Sequence, residues 1–174
     1  MELNALFWSL MAFGGSPPET VAAPECRVAD PDIQARLEQN ATDDQREREQ
    51  RQYDGLAERD AVRLAFANKQ VQAGRICTAN DARNAAVVFQ HSLETADHKQ
   101  AWRLSRWACE SGHAEACDWV AIAWDRALVS AGKAQWYGSQ WVAKPGSKGV
   151  MCLVAVDPKA TDADRTAAGW RPLS

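Results

Sequence analysis

From residue 30 onward, apolar residues recur with helical spacing in segments that end at glycines. Residues 32–40 read as a short helix. Thr42 then opens the run DDQREREQRQYD, residues 43–54, which closes near Gly55. It reads as a solvated helix face, with Glu and Arg four positions apart adding a few tenths of a kcal/mol per pair. Over residues 58–73, Ala61, Leu64, Ala65 and Val71 fall on one helical face, and Gly74 stands where a residue ending a helix favours glycine. Thr78 predicts a cap for the next helix, with Asp81 three positions on. The stripe of that helix is Ala82, Ala85, Ala86, Phe89 and Leu93, small enough for a neighbouring helix to approach closely. A helix from Thr95, with Ala101, Leu104 and Ala108 turned inward, ends at Gly112. Cys117, Val120, Ala121, Trp124 and Leu128 then give the clearest amphipathic pattern in the chain, which Gly132 closes.

The last two helices, joined at Ser111-Gly112-His113, predict an antiparallel helical hairpin. The pair resembles one unit of a tetratricopeptide or Sel1-type repeat, but no second copy follows at a fixed period, so a solenoid is not expected. Beyond Gly132 the pattern turns to β character at residues 140–143 and 150–156, separated by KPGSKG, a hairpin signal with a longer loop. Residues 162–168 predict closing helical turns ended by Gly169. The expected fold class is mainly α: an antiparallel helical bundle or helical-hairpin array with a small C-terminal β-hairpin.

Composition changes this picture little. The 174 residues are 46% hydrophobic and 25% charged, ordinary for one globular domain, and a chain of this length buries roughly 70% of its unfolded surface. The net charge of −3, with signs interspersed, leaves no broad basic face for phosphates, so nucleic acid is not an expected partner. The tryptophans add more. Seven of the eight lie from Trp102 onward; they either fill a core or line a cleft for carbohydrate or aromatic ligands.

The first residues carry an apolar run, residues 3–13, with small residues behind it at Gly14, Gly15 and Val21-Ala22-Ala23. That layout predicts a secretory signal peptide over residues 1–23, with Glu2 standing where a basic residue is usual. An ordered first helix is the other reading. The run is shorter than the about 20 residues of a bilayer span, so no membrane span is expected. Residues 24–41 read as a linker with a short helix, and residues 42–174 as a single helical domain carrying the hairpin. Export places the protein in the periplasm or outside the cell; otherwise it is cytoplasmic. The five cysteines point the same way. None lies in a C-x-x-C pair, so zinc and thioredoxin-like readings lack their spacing. Cys109 and Cys117 flank the helical corner at disulfide reach, and Cys26 with Cys77 is the next candidate pair, leaving Cys152 odd. Five buried thiols is the alternative.

Four polar groups are candidates for chemistry. Asp44-Gln45-x-x-Arg48 places a carboxylate and a guanidinium on one helix face, where an exposed ion pair between positions i and i+4 is the default reading. Phe89-Gln90-His91 presents an imidazole, the natural general acid or base near neutral pH. Asp125-Arg126 lies at the edge of the strongest amphipathic stripe, where a partly buried carboxylate needs a partner. Gln135-x-Tyr137-Gly138-Ser139-Gln140 sets hydrogen-bonding side chains around a glycine, suited to a polar ligand or to a loop pinned by itself. There is no G-x-S-x-G elbow, P-loop, H-E-x-x-H or dinucleotide fingerprint. His91, His98 and His113 do not pattern as metal ligands, so neither metal nor cofactor is expected.

In order, D-Q-x-x-R, F-Q-H, D-R and G-x-x-Q-x-Y-G-S-Q, the chain resembles an uncharacterised bacterial domain family defined by such motifs, from about residue 44 to residue 173. The stations are Asp44, Gln45 and Arg48; Ala85-Ala86 with Phe89-Gln90-His91; Asp125-Arg126; Gly132, Gln135 and Tyr137-Gly138-Ser139-Gln140; and a closing Asp164-Arg165 with Gly169 and Leu173. Ser139 stands where the family usually has Thr, keeping the hydroxyl, and Trp141 where it has Phe, keeping the aromatic. The family has no settled activity, so the resemblance implies a site and no reaction.

Three functions follow as expectations. In the first, a cofactor-independent hydrolase or transferase uses His91 as general acid or base, with Asp125 orienting it. Gln90, Arg126, Gln135, Tyr137, Ser139 and Gln140 then hold a small polar or anionic substrate, and His91, Asp125, Tyr137 and Gln140 line one cleft. In the second, an envelope protein without catalysis binds a partner through a Trp-rich surface. In the third, the polar set locks the hairpin onto the helices.

Overall fold

The structure is a computed structural model that describes residues 15–173. It is mainly helical, with a two-stranded antiparallel sheet near the C-terminus. The expected h-region, residues 3–13, lies outside the described residues. Helix α1 spans Pro31–Glu49, α2 Leu56–Gln72, α3 Ala79–Phe89, α4 Thr95–Glu110 and α5 Ala114–Ser130. Strands β1 (Trp141–Ala143) and β2 (Met151–Leu153) and the short helix α6 (Asp162–Ala167) follow.

Local chemistry starts these helices where the chain asks for it. Asp30 accepts from the backbone N–H of Asp32 and Ile33 ahead of Pro31, which gives up no N–H bond in that first turn. Thr78 and Asp81 close a reciprocal capping box on α3, and Thr161 and Asp164 another on α6. The expected break after residue 40 is absent. Helix α1 runs on through the charged stretch, because its inward stripe is Leu37, Asn40, Ala41, Asp44 and Glu47. This is helical periodicity written in polar residues, so the run is more than a solvated face. The same inversion holds for α2, whose buried positions are Arg63, Ala67 and Gln70. Ala61 and Ala65 of its expected apolar face are exposed, while Leu64 and Val71 pack against the core. Helix α3 ends at Phe89, which leaves Leu93 outside the core and 93% exposed.

Helix α3 is central and touches α1, α2, α4 and α5. Alanines carry the close approaches: Ala82, Ala85 and Ala86 of α3, Ala101 and Ala108 of α4, and Ala116, Ala121 and Ala123 of α5 all lie in one core. Trp102 and Trp124 meet across α4 and α5 with ring centroids 4.9 Å apart. Of the seven later tryptophans, Trp102, Trp124 and Trp136 are buried, Trp107, Trp119 and Trp170 partly so, and Trp141 is exposed. Disulfides join Cys26 to Cys77 and Cys109 to Cys117, and Cys152 is a free, exposed thiol. Among the described residues no helix is long and apolar enough to cross a membrane.

Candidate functional site

The loop after α5 is organised by one carboxylate. Asp125 is fully buried, and its Oδ1 accepts from the backbone N–H of Trp136 (2.7 Å) and Tyr137 (2.8 Å). Its Oδ2 accepts from the Ser139 N–H (2.8 Å) and hydroxyl (2.9 Å). Burial pushes Asp125 above the usual carboxylate value, while these hydrogen bonds pull the other way. Gln135, also fully buried, does the same work toward the sheet. Its amide donates to the carbonyls of Gln140 and Val154 and accepts from the Gln140 N–H. Arg165 of α6 donates through Nε to the Tyr137 carbonyl. Asp125, Gln135, Ser139 and the Tyr137 backbone are therefore spent on fixing the loop. The Tyr137 ring is buried, which pushes its hydroxyl up to about 12.

The imidazole of His91 sits just past the α3 terminus. The carboxylate beside it belongs to α1: His91 Nε2 lies 3.3 Å from Asp44 Oδ2. Asp125 holds the post-helical loop instead. Asp44 is 1% exposed; it accepts from Gln45 Nε2 at 2.7 Å and pairs with Arg48, whose Nη2 continues to Asp60 of α2 at 2.7 Å. Arg63 joins Asp60 to Glu47, and Arg59 also reaches Glu47, so a continuous charge network links α1 and α2. Burial dominates the protonation of the pair. Asp44 is pushed up to about 6, against the pull of Arg48 and Gln45. His91 is pushed down to about 3 by burial and then by the charges of Arg48 and Arg126. At neutral pH the imidazole is neutral; its Nε2 lies 3.3 Å from Asp44 Oδ2 and 3.4 Å from Gln45 Nε2, so the ring tautomer sets which of the two it bonds, and a proton on Nε2 leaves the Nδ1 lone pair free. Among the described residues nothing else bonds to Nδ1.

Arg126 connects the two halves. Its Nη1 donates at 2.7 Å to the carbonyl of Gln90, the peptide that leads into His91, and its Nε points to Gln140 Oε1 at 3.4 Å. The loop carrying His91 is pinned by His98. That ring's Nε2–H donates to the Ser92 carbonyl at 2.7 Å, and its Nδ1 meets Ser130 Oγ at 3.0 Å. His98 is thereby satisfied as a structural residue.

His91 lines a groove of about 580 Å³ with Asp60, Glu94 and the apolar Leu56, Leu64 and Val88. Ala61, expected on the core-facing side, is exposed and lines this groove, and Leu64, packed against the core as its spacing predicts, also reaches it. A neighbouring hollow of about 630 Å³ at the α1–α2 turn is lined by Glu47, Arg51, Gln52, Tyr53, Asp54 and Arg59. Its Arg59 is already committed to Glu47 and to the carbonyls of Asp54 and Gln52.

The expected site residues thus fall into two linked sets. Gln90, His91, Arg126 and Gln140 form a chain of contacts ending at the groove, whereas Asp125, Gln135, Tyr137 and Ser139 build the loop that holds Gln140. Asp60 was not among the expected residues; it follows four positions after Leu56 on a helix whose polar face could not be told from a solvated one. Among the described residues no group of three or more His, Cys, Asp or Glu is placed to hold a metal. No family model, curated protein or solved structure matches the chain.

Proposed function

We propose that the chain is a cofactor-independent hydrolase or group-transfer enzyme in which Asp44 and His91 act as one acid–base unit on a ligand held in the adjoining groove. The observation that supports this reading is the 3.3 Å contact between a buried Asp44 oxygen and the imidazole of a groove-lining His91. Because Asp44 takes a proton near 6 and His91 only near 3, the proton taken up at Nδ1 from a nucleophile is matched by release of Nε2–H to Asp44. The imidazole relays, and the carboxylate stores. A unit that changes charge near 6 suits general acid–base work close to neutrality. Leu56, Leu64 and Val88 give the groove an apolar wall for the non-reacting part of a substrate.

Two further readings belong to this proposal. The ordered motifs Asp44-Gln45-Arg48, Gln90-His91, Asp125-Arg126 and Gln135 to Gln140 are joined by successive hydrogen bonds, which supports kinship with the uncharacterised bacterial family they resemble. The two disulfides support export to the periplasm or beyond, since such bonds persist in oxidising compartments.

The test is hydrolysis or transfer measured on a panel of activated esters, phosphoesters and amides with the wild-type chain, H91Q and D44N. A turned-over substrate loses rate in H91Q by about 10²–10⁴, the usual range for removing a general acid–base group. Turnover that survives both substitutions unchanged overturns the reading.

A further inference from the structure

Arg48, Arg63 and Arg165 are withdrawn from solvent, and each faces a carboxylate: Asp44 and Asp60, Glu47 and Asp60, and Asp162. Arg126 is the exception. No carboxylate of the described residues lies within ion-pair distance of its guanidinium. Its bonds go to neutral acceptors, the Gln90 carbonyl at 2.7 Å and Gln140 Oε1 at a weak 3.4 Å. Its Nη2 has no hydrogen-bond partner among the described residues, yet is not among the atoms sealed from solvent. The end of α3 offers only partial negative charge through the carbonyl Arg126 caps. A second observation falls on the same residue pair: the Gln90 side chain is 1% exposed, and neither its amide nitrogen nor its amide oxygen has a partner among the described residues. Buried amides are normally satisfied, so an unmatched amide on Gln90, whose own backbone carbonyl holds a guanidinium that faces no carboxylate, marks a place built for something further.

We propose that Arg126 is an anion anchor, and that the ligand handled by His91 carries a carboxylate or phosphate group. The guanidinium offers a planar fork to such an oxyanion, and the neutral Gln140 does not compete for it as a carboxylate would. Arg126 stands one peptide from His91, close enough for its charge to add to burial and to Arg48 in disfavouring the imidazolium, and an arriving anion relieves its share of that pressure. Arg48 does not serve the same purpose, being consumed by Asp44 and Asp60. The substrate class rests on the acid–base reading of His91; the anion site itself does not.

The experiment follows the side-chain ¹⁵N signals of Arg126 and His91 in the full chain as inorganic phosphate, and separately acetate, replaces chloride at constant ionic strength. Saturable movement of both signals is expected, with phosphate binding weakened at least about tenfold in R126Q and retained in H91Q. The wild-type titration stands alone if R126Q does not fold, and R126K then supplies the comparison, keeping charge without the fork. No saturable movement of the Arg126 signal, or an unchanged phosphate affinity in R126Q, overturns the proposal. Phosphate binding in a chain whose Asp44–His91 pair lacks its transition near 6 sinks the acid–base reading alone. That transition without phosphate binding sinks the anchor alone.

Discussion

At the scale of single residues, two aspartates of similar burial do opposite things. Asp125 is surrounded by donors fixed in the backbone, three N–H groups and one hydroxyl, so its oxygens are filled from one loop. Asp125→Asn puts an amide NH₂ against an N–H, and we expect a loss of about 2–4 kcal/mol in urea unfolding at neutral pH. A midpoint unchanged from wild type would mean that the loop does not depend on this carboxylate. Asp44 instead shares its surroundings with side chains, those of Gln45, Arg48 and the titrating His91. Its folded value, about 6, lies above the ordinary 3.8, so its contribution to stability is full below 3.8 and is lost as the pH rises through 6. His91 has the reverse sign. Its folded value, about 3, lies below the ordinary 6.5, so its contribution is full above 6.5 and falls away as the pH drops toward 3. Thermal midpoints followed from about pH 7 to pH 4 should therefore fall less steeply in H91Q than in wild type, and more steeply in D44N. Parallel curves would show that neither group changes its proton affinity on folding.

At the scale of elements, what the sequence made legible was whatever apolar spacing and capping chemistry could write. The Thr78–Asp81 box, the glycines closing α4 and α5, the α4–α5 corner and the short hairpin all stand where pattern and turn residues placed them. Helices α1 and α2 bury Asp44, Glu47, Arg63 and Gln70, residues whose inward spacing looks like a solvated face unless their partners on the next helix are known, while Leu64 and Val71 of α2 pack against the core as their spacing predicts. Ion pairing across the α1–α2 contact replaces apolar contact there, and a pattern of apolar residues does not record it. The disulfides act at this scale too. Chain-entropy arguments give about 4 kcal/mol for the Cys26–Cys77 link, 51 residues apart, and about 2.5 kcal/mol for Cys109–Cys117, eight apart. C26A/C77A should lower the unfolding midpoint more than C109A/C117A; the reverse order would point to strain or residual unfolded structure. Thiol titration of the native chain should find one free cysteine, Cys152, rising to five after reduction.

At the scale of the whole molecule, segments far apart in sequence meet around the end of α3. Helix α1 brings Asp44, α2 brings Asp60, α5 brings Arg126, and the loop after α5 brings Gln140. The candidate site was legible as a set of polar stations, but its pairing was not: Asp125 and Asp44 look equally eligible as the partner of His91 until the turn of α1 and the reach of the Asp125 loop are known. The central claim is that Asp44 and His91 share one proton whose position changes near neutrality. It is tested most directly by ¹⁵N spectra of the His91 imidazole from about pH 8 to pH 4. The account predicts a neutral ring throughout, with the proton moving from Nε2 to Nδ1 as Asp44 is protonated near 6, and no such change in D44N. An imidazolium forming near 6.5 as in a free histidine, or a ring that keeps one tautomer across the whole range, would contradict it.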